Sequence, residues 1–110
     1  MSKPLLLEIA YQSILEVIQA KNLIKRESLL QKHPLLNEHL SVKLTIFVDG
    51  ELCGSYEEKG TKTLLEAIVE GAKIAAFEDK HSKKLTLTHY FEMEIEISIQ
   101  TPNGVISHRA

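Results

Sequence analysis

The chain has 110 residues, a formal net charge of −2, and only one cysteine and no tryptophan. That length holds one domain with a modest core, and a lone Cys53 excludes an internal disulfide and fits a reducing compartment. A slightly acidic chain without a Lys/Arg stripe interleaved with aromatics excludes a nucleic-acid or acidic-membrane partner, and no apolar run reaches the roughly 20 residues of a membrane span. The first residues, MSKPLLLEIAYQ, lack the long apolar region and cleavage site of a signal peptide, so a cytoplasmic location is expected.

In chain order, Leu6, Ile9, Ala10, Ile14, Val17 and Ile18 recur at spacings of three and four. This predicts a helix over 5–21 with a core-facing stripe. Pro4 is placed in its first turn, and Asn22 is its expected stop. Lys25 to Gln31 predicts a short second helix ended by Pro34. A connector follows, and Leu35, Leu36 and Leu40 are expected to pin it to the core.

Val42, Leu44, Ile46 and Val48 then alternate with Lys43, Thr45 and Phe47, the period of a strand with one buried face. Asp49-Gly50 suits a type I′ turn, in which both central residues need positive φ, and a second strand runs on through Leu52-Cys53-Gly54-Ser55-Tyr56. A glycine inside a strand marks a bulge or a close approach. Simple alternation would put Cys53 and Ser55 on the same face.

Thr63-x-x-Glu66 is a capping box that opens a helix over 64–77, with an apolar face of Leu64, Leu65, Ile68, Val69, Ala72, Ala75 and Ala76. Glu70 and Lys73 make an i,i+3 pair on the opposite side. Gly71, poor for a helix interior, among these alanines predicts a helix lying very close to the sheet. A polar connector over 78–88 precedes the most regular strand, Tyr90 to Gln100. There Phe91, Met93, Ile95, Ile97 and Ile99 take the core face, and Glu92, Glu94 and Glu96 take the wet one. Pro102-Asn103-Gly104 is a turn, and 105–109 returns as a short last strand.

The order α-(α)-β-β-α-β-β predicts an α+β fold: one domain over 1–110, with an antiparallel or mixed sheet of about four strands covered by two main helices. The sequence holds no internal repeat, no phosphate-binding glycine motif and no metal-binding histidine pattern among His33, His39, His81, His89 and His108. Neither a metal nor a cofactor is expected. Cys53 and Ser55 are the candidate nucleophiles, with His81 or His89 as a base if the connector folds over the hairpin. Against this stands the simpler expectation that Cys53 is a packed thiol.

The residues Leu52-Cys53-Gly54-Ser55-Tyr56, the helix ending Ala75-Ala76-Phe77, Asp79, Leu85 and Glu94-Ile95-Glu96-Ile97-Ser98 follow one another as in the AMME chromosomal region protein family, which the chain resembles over almost its whole length. The family pattern is Leu-Arg-Gly-Cys-Ile-Gly. Cys53 stands at its Arg, Ser55 at its Cys and Glu57 at its last Gly, and Lys80-His81-Ser82 replaces the usual Pro-Arg-Phe. The family's domain also continues well past the length of this chain. The resemblance carries over Leu52, Gly54 and Asp79 as motif residues, and it points to radical-SAM and Memo-like proteins as associates by analogy.

Together these readings place a non-catalytic binding module at the hairpin, for a small ligand or a protein, with Leu52, Cys53, Gly54, Ser55, Tyr56 and Asp79 as its site. The alternatives are an enzyme with Cys53 or Ser55 as nucleophile, and an assembly protein that forms a homodimer through uncovered sheet edge.

Overall fold

The structure, a computed structural model, describes residues 4–78 and 87–110. Its elements are α1 (Leu5–Gln19), α2 (Arg26–Lys32), a 3-10 turn (Pro34–Asn37), β1 (Ser41–Val48), β2 (Glu51–Lys59), α3 (Leu64–Phe77), α4 (Leu87–Glu92), β3 (Met93–Thr101) and β4 (Gly104–Arg109). The strands form one antiparallel sheet in the order β2-β1-β3-β4. This is the α+β architecture expected. Among the described residues, no helix is long and apolar enough to cross a membrane.

The core lies between one face of the sheet and the helices α1 and α3. Register stacks Val42 opposite Ile99, Leu44 opposite Ile97 and Ile46 opposite Ile95. All six are buried, together with Leu64, Leu65 and Ile68 of α3 and Leu7, Ile9 and Ile14 of α1. The Tyr11 hydroxyl on α1 lies 2.9 Å from the Met93 carbonyl oxygen, which fastens the helix to the start of β3. Burial pushes that phenol up to about 12.

Side chains pointing to the other side of the sheet remain at least partly exposed: Lys43, Thr45 and Phe47 on β1, Ser55 and Glu57 on β2, Glu94, Glu96 and Ser98 on β3, and Val105, Ser107 and Arg109 on β4. Among the described residues, the sheet therefore has one covered face and one open face.

Several expectations need correction. α1 stops at Gln19 because Ala20 turns left-handed at φ 53, and Lys21 N–H returns to the Glu16 carbonyl at 3.1 Å. The buried stripe passes through Glu16 rather than Val17, which is exposed. The Glu16 carboxylate accepts from Leu23 N–H at 2.7 Å, from Ile24 N–H at 3.0 Å and from the Lys73 ammonium at 3.0 Å. Lys73 is thus taken by α1, and Glu70 pairs with Lys62 instead of with Lys73. In the connector, Leu36 is buried and Leu40 packs against the core, but Leu35 points outward.

The strand expected from Tyr90 begins at Met93. β1 ends at Val48, opposite Met93, and then enters its turn. Residues before Met93 find no partner on β1, and their backbone groups bond within α4 instead. Tyr90 then meets Tyr11 edge-on at 5.7 Å between centroids, and Phe91, expected in the core, is 76% exposed.

Candidate functional site

The β1–β2 hairpin turns at Asp49 (φ 53) and Gly50 (φ 79), which is type I′ geometry. From Ser41–Lys59 to Ile46–Gly54 the two strands pair residue for residue, and the register then shifts so that Phe47 faces Leu52. Cys53 is the extra residue of a β-bulge beside Gly54, as a glycine within a strand suggests.

The bulge divides the motif between the two faces of the sheet. Leu52 is 51% exposed beside Phe47, whereas Cys53 is 7% exposed and belongs to the core. Gly54 is buried, and Ser55 is exposed opposite Thr45. The expectation that Cys53 and Ser55 share one face is therefore wrong: an inserted residue breaks the period-two alternation on which it rested.

Tyr56 turns back to the helix side. A Cβ at residue 71 would come within 2.5 Å of the Tyr56 ring, so Gly71 is the notch that admits this ring and the close helix approach expected from the sequence. The Tyr56 hydroxyl donates to Glu58 at 3.3 Å, and burial raises its pKa. Glu58 also accepts from the Thr61 N–H at 2.7 Å and from the Thr61 hydroxyl. These donors hold its carboxyl below the ordinary range. Tyr56 and Glu58 thus close the corner between β2 and α3. At that corner the Thr63 hydroxyl caps α3 by accepting from Glu66 N–H at 3.3 Å, while the Glu66 carboxylate pairs with Arg26 at 2.9 Å.

On the open face, Arg109 gathers the residues around it. Its guanidinium pairs with Glu94, reaches Glu96 at 3.3 Å, and lies 4.9 Å from the centroid of the Phe47 ring. Phe47 in turn neighbours Leu52. The open face thus carries a continuous patch with an apolar pair at one end and a cation held between two carboxylates at the other. Glu92 belongs to α4 and stands apart from Glu94 and Glu96. Sequence reading missed Arg109, although the signal was present. A two-residue turn at Pro102-Asn103 pairs Thr101 with Gly104, and counting back along the ladder brings Arg109 opposite Glu96.

Two of the expected site residues, Asp79 and His81, lie outside the described residues. Lys32, His33 and His108 line a separate cleft of about 400 Å³, together with the buried Leu6, Leu36 and Ile99.

No family model matches the chain, and no curated protein matches it. Among solved structures, the chain is similar to the crystal structure of an uncharacterised protein from Pyrococcus horikoshii. The TM-score is 0.74 and the identity 22%, over 88% of this chain and 50% of that one. The likeness is one of fold. The chain spans about half the length of that protein.

Proposed function

We propose that the chain is a non-catalytic binding module that docks a protein partner on the open face of its sheet. The observation that carries this reading is the bulge, which sends Leu52 outward beside Phe47 and sends the Cys53 thiol into the core. An aromatic ring, a leucine and an arginine side by side are the residue types that anchor protein interfaces. The patch is an open strand face, whereas small-molecule sites are concave, so a protein partner fits better than a small ligand. A nucleophilic role for Cys53 would need an accessible, activated thiolate, and burial in the core works against it. The resemblance to the AMME chromosomal region family makes radical-SAM and Memo-like proteins the first partners to try.

The test is a photo-crosslinking residue placed at Leu52 and, in a second protein, at the exposed Val17 of α1. The expected result is a discrete partner captured from position 52 and not from position 17. Purified, that partner should bind the chain and lose at least about tenfold in affinity with Phe47→Glu, as for a central anchor. Capture from position 17 alone, or an affinity unaffected by Phe47→Glu, would refute the assignment.

A further inference from the structure

We infer that the outer edge of β4 is the seam of a symmetric dimer of this chain. The two edges of the sheet differ. β2 carries the bulge at Cys53 and the charges Glu51, Glu57, Glu58 and Lys59, the devices by which natural sheets discourage edge pairing. β4 has none of these along Val105-Ile106-Ser107-His108, and its only strongly charged residue, Arg109, is already held by Glu94 and Glu96. Val105 is 64% exposed and Ile106 is 40% exposed.

The ladder fixes which backbone groups face outward. Ile95 and Ala110 exchange both N–H···O bonds, at 2.8 and 3.1 Å. Stepping by two along the register, His108, Ile106 and Gly104 turn their backbone groups toward β3. Val105, Ser107 and Arg109 therefore present their N–H and C=O groups away from the sheet.

A second copy can meet this row antiparallel about a two-fold axis at Ser107. Ser107 then pairs with the partner's Ser107, and Val105 with the partner's Arg109, in about six backbone hydrogen bonds. No two arginines face each other, so the edge is complementary to itself. On the helix side, Ile106 falls beside the partner's His108. The result is one eight-stranded sheet with a continuous open face. The seam uses neither Phe47 nor Leu52 and takes only backbone groups from Arg109, so this inference and the proposed docking face are tested by different substitutions.

Light scattering coupled to size exclusion, with protein from about 1 to 500 μM, tests the seam. The wild type and Phe47→Glu are expected to dimerise alike. Ser107→Pro removes an outward N–H that no hydrogen bond among the described residues uses, and Val105→Pro removes a second outward N–H of the same row. Each should weaken self-association about 10- to 100-fold, with circular dichroism showing the fold retained. A wild type that is monomeric throughout would overturn the inference. So would a dimer that persists unchanged in whichever of the two variants remains folded.

Discussion

Glu16 is the residue on which the joint between α1 and α2 depends. Its burial would by itself raise the carboxyl pKa. The N–H of Ile24, the ammonium of Lys73 and the N–H of Leu23 outweigh that effect and leave it below its ordinary value. A carboxyl depressed on folding contributes stability above its unfolded pKa of about 4.3, and that contribution is lost as pH falls through the folded value. Glu16→Gln should therefore lower the unfolding free energy by about 2–3 kcal/mol at pH 7. The gap to wild type should narrow steadily below about pH 4. Urea denaturation at pH 7 and pH 3 measures both, and a gap equally wide at the two pH values would contradict this role. The sequence hides the residue: Glu16 falls on the edge of an apolar stripe, where Val17 looks like the natural core position. Only the return of the chain at Leu23 and Ile24 makes the carboxylate the better inward group.

At the scale of elements, β3 and α4 show where period alone misleads. Alternation from Tyr90 to Gln100 is a property of side chains, but a strand also needs a neighbour for its backbone. β1 supplies one only as far as Val48. The consequence is a sharp contrast between two residues that alternation treats alike. Ile95→Asp buries an unpaired charge at the centre of the sheet and should unfold the protein. Phe91→Ser, on exposed α4, should change stability by no more than about 0.5 kcal/mol. Thermal melts of the two variants check this, and a large loss from Phe91→Ser would restore Phe91 to the core.

What was legible in the sequence is what local chemistry dictates. The Asp49-Gly50 turn, the Thr63 cap, the alternation of β1 and the apolar face of α3 were all readable, and with them the two-layer fold. The glycine at position 54 announced a bulge. What the bulge does to its neighbours depends on which residue is the extra one, and pairing with β1 decides that. The same holds for Arg109, whose partners follow from register across a turn.

For the whole molecule, the arrangement is two main helices on one side of a four-stranded sheet, with β2 and β4 at its edges and, among the described residues, side chains at least partly exposed on the other side. A similar fold occupies 50% of the chain of the Pyrococcus horikoshii protein. The proposed docking face and the proposed seam lie on different parts of this sheet, and the Cys53 thiol lies in the core.

The division of the hairpin by its bulge carries the proposed docking face, and cysteine accessibility measures that division directly. The native Cys53 is compared with thiols introduced one at a time by Leu52→Cys and Ser55→Cys in a Cys53→Ala background, using iodoacetamide at pH 7 to 9. The introduced thiols are expected to label like an ordinary exposed thiol of pKa about 8.5, whereas Cys53 labels only as fast as the protein opens. Rapid labelling of Cys53 in the folded protein well below pH 8.5 would contradict it and put a reactive thiol back at the centre of this hairpin.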